Sequence, residues 1–296
     1  MLTRRKLIGG LGLVGAWPLI PKVVSAPFTA SKASTSTPSN FKVNATYDTS
    51  WTSVPAPPNV VNSLAAAIAI LEGTFNLNFT LNIQFGYGTR NNQPMTSRLS
   101  QSLYDQTTIP YSTFRSALMV LATTTNSTTA ANSLPASDPT GGATIYTSVQ
   151  HAVVLGYATG SAQGYVGIAT GNTYFYPYTA PVAGQYDATD IFIHEITETM
   201  GRYGIAGGPG GALGPLDLFA YSASGIRNFG PETAAPRYFS VNNGETKIND
   251  FWTANTSGDP GDWPGADSFM AFGTTGLTET FSTGDINVVD ALGYRA

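Results

Sequence analysis

The chain has 296 residues, and only 11% of them are charged, against about 25% in an average soluble protein. Its net charge of −4, with no cluster of Lys and Arg beyond the first residues, argues against binding to nucleic acid or to an anionic membrane surface. The absence of cysteine excludes disulfides, thiolate ligands and a cysteine nucleophile, so a metal ion would have to be bound through nitrogen and oxygen.

The first 26 residues are typical of an export signal. Arg4 and Arg5 precede a weakly apolar, glycine-containing run, 9–20, which favours a twin-arginine signal over an ordinary secretory one. Pro18 and Pro21 interrupt a run that is too short to cross roughly 30 Å of hydrocarbon, so we expect no stable membrane anchor. The sequence therefore predicts an exported protein, periplasmic or extracellular, whose precursor uses the twin-arginine export machinery.

Composition divides the rest of the chain into three parts. Residues 27–40 are rich in Ser, Thr, Ala and Pro and predict a flexible linker. Residues 41–202 predict an N-terminal α/β subdomain that ends in the helix described below. Residues 203–296 have glycine-rich turns and few long apolar runs, which predicts a C-terminal subdomain of short elements.

Hydrophobic periodicity predicts alternating strands and helices before residue 202. Period-two alternation indicates strands, and apolar residues three or four apart indicate helices. The predicted strands are 41–47, 81–88, 164–169 and 173–176, and the predicted helices are 60–71, 111–123, 146–155 and 187–202. This order is typical of an α/β fold in which helices cover a sheet.

The helix predicted over 187–202 carries the most informative motif. His194 and Glu198 are four residues apart, hence on one helical face, and Glu195 is rotated about 100° from His194. In HExxH metallopeptidases two histidines with this spacing bind zinc, and the glutamate beside the first acts as general base. Here we expect His194 and Glu198 to bind a metal and Glu195 to be the base. The alternative is a chance match with a solvated Glu198.

The ends and the opposite face of this helix are also recognisable. Asp187, Thr189 and Asp190 offer capping oxygens at its start, and Gly201 is expected to let the chain turn out of it. The expected buried stripe consists of Phe192 or Ile193, then Ile196, Met200 and Tyr203.

Several residues could complete such a site. Asp217 follows Glu198 at nearly the gap seen in thermolysin-like enzymes, so we expect it to be the third ligand, with capping of a helix that starts at Leu218 as the alternative. Arg202 and Tyr221 are candidates for stabilising the transition state. Arg202 could equally form a structural ion pair.

Three further features have two interpretations each. The turns that carry Asp259, Asp262 and Asp267 could bind Ca²⁺ through oxygen, or could be ordinary Asx turns. His151 could supply a second imidazole ligand, or could lie on a helix with no ligand role. Met270 could lie beneath the metal, or could simply pack in the core.

A family resemblance joins these motifs. It is carried by His194-Glu195-Ile196-Thr197-Glu198 with Met200-Gly201-Arg202, Leu216-Asp217-Leu218-Phe219, Tyr238-Phe239-Ser240-Val241, Gly261-Asp262-Trp263 and Asp290-Ala291-Leu292-Gly293-Tyr294. Together they resemble a family of exported bacterial metallopeptidases with a zincin, and more narrowly metzincin-like, layout. The resemblance implies a twisted mixed sheet with backing helices, including the active-site helix, and then an irregular glycine-rich subdomain. It also implies a bound Zn²⁺.

The chain departs from the metzincin pattern at two positions. That pattern has histidines where this sequence has Glu198 and Gly204. Carboxylate in place of imidazole makes a site less selective, so Mn²⁺ or Fe²⁺ would compete with Zn²⁺.

The leading hypothesis is a secreted metal-dependent endopeptidase. Metal-activated water would attack a peptide carbonyl of a protein or peptide substrate, with Glu195 as general base. The alternatives are a non-catalytic binding or surface protein on the same scaffold, and a protein stabilised by Ca²⁺.

Overall fold

The computed structural model describes residues 41–95, 99–205, 211–230, 237–252, 259–265, 267–269 and 273–295. The predicted signal and linker, and the prediction for Met270, lie outside these residues. Within the described ranges, no helix combines the length and apolarity needed to cross a bilayer.

A mixed sheet forms the centre of the N-terminal part. Its strands lie in the spatial order β1 (Lys42–Tyr47), β2 (Thr80–Tyr87), β8 (Gly164–Ile168) and β5 (Ser100–Tyr104). The first three run parallel, and β5 runs antiparallel along one edge. The predicted strands 41–47, 81–88 and 164–169 are confirmed, because their apolar positions alternate into a core that the sheet buries.

Shorter strands complete the sheet structure. One pair consists of β3 (Thr89–Arg90) and β4 (Gln93–Pro94), and another of β6 (Gln106–Ile109) and β7 (Ile145–Ser148). A small antiparallel sheet in the C-terminal part has the order β10 (Ile226–Arg227), β9 (Ala220–Ala223), β11 (Tyr238–Phe239) and β12 (Asn249–Asp250).

The α-helices lie between the strands and after them along the chain. They are α1 (Thr49–Ser53), α2 (Pro58–Thr74), α3 (Tyr111–Leu121), α4 (Thr125–Ser133), α5 (Val149–Val154), α6 (Ala188–Thr199) and α7 (Thr283–Val289). A 3₁₀ helix spans Pro215–Phe219, and a π-helical segment spans Asp290–Tyr294. The α/β class and the predicted helices 60–71, 111–123 and 187–202 are confirmed.

Two predicted elements differ from the structure. The helix expected over 146–155 begins only at Val149, because residues 145–148 pair with β6 as strand β7 and Ser148 then caps the helix. The strand expected over 173–176 is absent: Tyr174 forms only an isolated bridge with Tyr186. Tyr174 and Phe175 are buried by packing and not by a strand ladder, and Tyr176 is exposed, so the aromatic composition alone imitates a strand.

Helix α6 lies between the main sheet and the C-terminal part. It packs on α2, β5 and β8, and the ring of Phe192 meets that of Phe85 edge to face with centroids 6.0 Å apart. The residues of the apolar stripe predicted for this helix have no exposed surface, except Tyr203, which is 6% exposed. Segments around Asp262 and Ser268 contact the other side of the helix. The motif is therefore held at the centre of the molecule.

Candidate metal centre

The ends of α6 are fixed as the sequence predicts. Asp187 caps the helix by accepting a 2.9 Å hydrogen bond from the backbone N–H of Thr189. Gly201 has a φ of +94°, which favours glycine, and a Cβ there would lie 2.4 Å from Nδ1 of His151. The helix can therefore end against a buried imidazole only because residue 201 lacks a side chain.

Three side chains that could hold a metal ion come together beside α6. Nε2 of His194 lies 3.5 Å from Oε1 of Glu198 and 3.4 Å from Oδ1 of Asp262. One donor atom from each of the three residues lies within 4.8 Å of the others. His194 and Glu198 thus meet as their helical spacing predicts, and the third member is Asp262.

The donor separations fit a metal ion better than direct hydrogen bonds. An N–H···O hydrogen bond measures about 2.7–3.2 Å, which is shorter than either contact of His194 Nε2. Two donors on a tetrahedral ion with bonds of about 2.0–2.1 Å are roughly 3.3–3.4 Å apart. The two measured distances therefore match neighbouring positions of such a coordination sphere.

A hydrogen bond of Nδ1 leaves the other ring nitrogen of His194, Nε2, facing the two carboxylates. Its Nδ1 donates a 3.0 Å hydrogen bond to the backbone carbonyl of Ser268. Burial opposes protonation, but the facing Asp262 and Glu198 raise the pKa of His194 to about 9. A bound cation would displace the proton from Nε2 and, because a carbonyl oxygen can only accept, Nδ1 would keep its own. Ser268 therefore orients the ring as outer partners of ligating histidines usually do.

Both oxygens of Glu198 are held. Ser102 Oγ donates to Oε2 at 2.5 Å, and Arg202 Nη2 lies 3.4 Å from Oε1. Burial opposes ionisation, but protonated His194, through a hydrogen bond and its charge, and Arg202 lower the pKa of Glu198 to about 2. Glu198 is therefore a carboxylate in a fixed orientation that could bind a cation.

Arg202 is the buried cation of the site. Its Nη1 donates to Oδ1 of Asp262 at 3.0 Å, and Nε donates to Oγ1 of Thr197 at 3.0 Å. The guanidinium also lies over the ring of Phe269, 4.2 Å from its centroid. With no exposed surface, Arg202 forms the structural ion pairs that were the alternative to a role in the transition state.

Glu195 is the carboxyl group that faces a cavity beside the three donors. The cavity has a volume of about 370 Å³ and is bordered by β5 on one side and by residues 203–205 and 259–260 on another. Ser100 Oγ donates to Oε1 of Glu195 at 2.6 Å. Burial and the charge of Glu198 raise the pKa of Glu195 to about 8. A carboxyl group with a pKa near neutrality can both accept and return a proton.

The residues that donate hydrogen bonds to Glu195 and Glu198 could not be predicted from the sequence. Ser100, Ser102 and Tyr104 are two apart on β5, so their side chains share one face of the strand. The sequence Ser-Gln-Ser-Leu-Tyr begins with three polar residues and does not alternate, so it carries no period-two signal for this strand. It could not have indicated that this face meets α6.

Asp217 lies elsewhere, although it was expected to be the third ligand. Its Oδ1 pairs with Nη2 of Arg237 at 2.5 Å, and its Oδ2 accepts from the backbone N–H groups of Ile205 and Gly214. It is not one of the three grouped residues. Nor does it precede a helix at Leu218, since the 3₁₀ helix already begins at Pro215. Asp217 links the segments on either side of that turn.

Tyr221 and His151 belong neither to the three grouped side chains nor to the lining of the cavity. Tyr221 is buried on β9 beneath the guanidinium of Arg227, 4.7 Å from its ring centroid, and does not line the cavity. His151 is fully buried, with Nδ1 at 2.7 Å from Thr147 Oγ1 and Nε2 at 2.8 Å from the carbonyl of Leu292. Both of its ring nitrogens are occupied, so it offers no ligand atom.

The three aspartates considered for calcium do not converge in the described residues. Asp262 belongs with His194, Asp259 borders the cavity, and Asp267 accepts from the side chain of Asn249. Their separation favours the ordinary turn interpretation for Asp267.

Comparisons of the chain with protein-family models, with curated protein sequences and with solved structures found no match. The functional interpretation therefore rests on the three donors, the base and the cavity.

Proposed function

We propose that this chain is a metal-dependent endopeptidase with a zincin-like layout, exported to the periplasm or beyond. His194, Glu198 and Asp262 would bind the ion, and Glu195 would be the general base. The observation that carries the proposal is the 3.4 and 3.5 Å spacing of the donors around His194 Nε2, beside a cavity that Glu195 lines.

The donor set defines the class of metal. One imidazole and two carboxylates suit Zn²⁺ and also accept Mn²⁺ or Fe²⁺ more readily than a site of three imidazoles. A bound ion would polarise the peptide carbonyl and make water nucleophilic at neutral pH.

Glu195 would do the proton transfer. It would take a proton from the attacking water and pass it to the leaving amine. Its hydrogen bond from Ser100 fixes one oxygen, so the carboxyl group keeps one orientation during both transfers. A cation beside it would favour the ionised form and so lower its pKa from about 8 toward neutrality.

Strand β5 would position the substrate. It is the edge strand of the main sheet and borders the cavity that Glu195 and Glu198 line. An extended peptide can pair with such an edge through backbone hydrogen bonds, which suits an enzyme that acts within polypeptide chains.

Metal content measured by mass spectrometry tests the ligand set. We expect about one transition-metal ion per chain after supplementation with Zn²⁺, Mn²⁺ or Fe²⁺, and its loss in His194→Ala and Asp262→Asn. Asp259→Asn is the matched control from the same segment and should keep the ion. Absence of metal from the wild-type chain would disprove the proposal, and retention in Asp262→Asn would remove Asp262 from the ligand set.

Hydrolysis tests the base. Glu195→Gln should lower the rate of casein or peptide cleavage by about 10²–10⁴-fold while leaving the metal bound. Cleavage at the wild-type rate in this variant would exclude Glu195 from the mechanism.

A further inference from the structure

Two polar groups at the cavity have no role in the chemistry proposed above. The carboxyl group of Asp259 borders the cavity and has no hydrogen-bond or ion-pair partner in the described part of the chain. Burial and the charges of Glu198 and Asp262 raise its pKa to about 7, and a cation beside it would favour its ionised form. The hydroxyl of Tyr203, a residue only 6% exposed, is buried without a partner among the same residues. An unpaired carboxyl group beside a cavity is a group that a ligand can satisfy.

Two aromatic rings lie beside these groups. Tyr104 and Tyr203 both line the cavity, with ring centroids 5.4 Å apart and planes inclined by 36°. Burial, with Tyr203 and the charges of Glu198 and Asp259 nearby, raises the pKa of Tyr104 well above its usual value, so its hydroxyl is neutral. The aromatic wall therefore adds no charge of its own.

Carboxylates outnumber cations around the cavity. Glu195, Glu198 and Asp259 contribute carboxyl groups, whereas Arg90 contributes the guanidinium among the described lining residues. Arg90 directs Nη1 to the backbone carbonyl of Ser102 at 2.7 Å. When Glu198 is committed to a metal ion and Glu195 to proton transfer, Asp259 is the carboxyl group left to face a ligand.

We infer that this cavity is a subsite for a cationic side chain, Lys or Arg, of the polypeptide substrate, with Asp259 as its counter-ion. A carboxylate beside aromatic rings recognises an ammonium or guanidinium group through a charge-assisted hydrogen bond and cation–π attraction. The volume of about 370 Å³ is at the lower end of typical ligand pockets and is large enough for one long side chain. The inference rests on the proposed function in taking the ligand to be a polypeptide.

Other side chains fit this subsite less well. An acidic side chain would be repelled by Asp259 and the neighbouring carboxyl groups. An apolar side chain would desolvate Asp259 without giving it a partner, which costs free energy.

Calorimetric binding of matched peptides tests the subsite without any turnover. The protein would be Glu195→Gln loaded with Zn²⁺, and the blocked pentapeptides would differ only in a central Lys, norleucine or Glu. We expect the Lys peptide to bind about tenfold more tightly than the norleucine peptide, and the Glu peptide to bind most weakly. Adding Asp259→Asn should bring Lys and norleucine to within about twofold, and Asp259→Lys should reverse the order of Lys and Glu.

The control is Asp250→Asn, which makes the same change of charge at an exposed residue that pairs with Lys247 outside the cavity. It should keep the preference for Lys. Equal binding of Lys and norleucine peptides, a preference for Lys that survives Asp259→Asn, or no binding of any peptide would overturn the inference.

Failure of the subsite and failure of the proposed activity give different results. Cleavage by the wild-type enzyme without any preference for basic residues overturns only the subsite. Binding that prefers Lys through Asp259, in a protein that never cleaves peptides, contradicts only the endopeptidase.

Discussion

Ser102 donates a 2.5 Å hydrogen bond from Oγ to Oε2 of Glu198. Ser100, two residues earlier on the same face of β5, donates instead to Glu195 at 2.6 Å. One edge strand thus supplies separate hydroxyl groups to a proposed metal ligand and to the proposed base. Metal binding and proton transfer can therefore be weakened independently.

The paired variants Ser102→Ala and Ser100→Ala should separate these two effects. Loss of an outer partner of a ligand typically weakens metal binding by about 10–100-fold, so we expect this range for Ser102→Ala in a chelator competition. Ser100→Ala should leave metal affinity within about threefold and lower the rate of hydrolysis, because its partner is not a ligand. Equal metal affinities in the two variants would contradict this division.

Local sequence information was sufficient to predict α6 and the proximity of His194 and Glu198 on one of its faces. Caps, a repeating apolar stripe and a four-residue spacing all lie within 187–203, so they follow from helix geometry alone. The same holds for β1, β2 and β8, whose alternation has period two. The predicted boundary of subdomains at residue 202 stays a prediction.

Contacts between residues far apart in the chain could not be predicted from the sequence. Ser102 and Glu198 are 96 residues apart in the chain, and no periodicity relates them. The spacing that suggested Asp217 comes from other enzymes; here Arg237, 20 residues further along, takes its carboxylate. The choice between Asp217 and Asp262 depends on how the C-terminal turns fold over α6, which residue spacing does not record.

Arg202→Met should destabilise the protein strongly. Removing the guanidinium leaves His194 as the cation that faces buried Asp262 and Glu198, and breaking a buried ion pair typically costs about 3–5 kcal/mol. Arg202→Lys keeps the charge but cannot make both contacts, so it should cost less. Urea unfolding of metal-free protein measures both values.

The control is the exposed ion pair between Lys247 and Asp250. Lys247→Met should change the free energy of unfolding by no more than about 1 kcal/mol. A similarly small change in Arg202→Met would show that the buried pairs do not stabilise the fold.

Gly201→Ala should be costly for a different reason. A φ of +94° disfavours any residue with a Cβ, and that atom would lie 2.4 Å from the His151 ring. The left-handed backbone costs about 1–2 kcal/mol and overpacking typically about 1–3 kcal/mol, so we expect a loss of at least about 2 kcal/mol. Gly171→Ala is the matched control, since a Cβ at Gly171 meets nothing within 4 Å and the residue has no positive φ. Equal melting temperatures for the two variants would show that the helix end relaxes without cost.

His151 should make stability depend on pH between about 4 and 6.5. Burial lowers its pKa from 6.5 to about 4 in the folded chain, although the carbonyl of Leu292 acts in the opposite sense. Above pH 6.5 the imidazole is neutral in both states and folding bears no protonation cost. As the pH falls toward 4, only the unfolded chain takes up the proton, so stability falls by about 1.4 kcal/mol per pH unit, or about 3 kcal/mol in all.

The difference between the wild type and His151→Gln isolates this contribution. Buried carboxyl groups such as Asp190 and Glu279 have raised pKa values and act in the opposite direction, but they are common to both proteins and cancel. Urea unfolding from pH 7.5 to 4 should therefore show a wild-type advantage that is largest above pH 6.5 and shrinks as the pH falls. Parallel stability curves for the two proteins would mean that the imidazole is already able to take up a proton in the folded state.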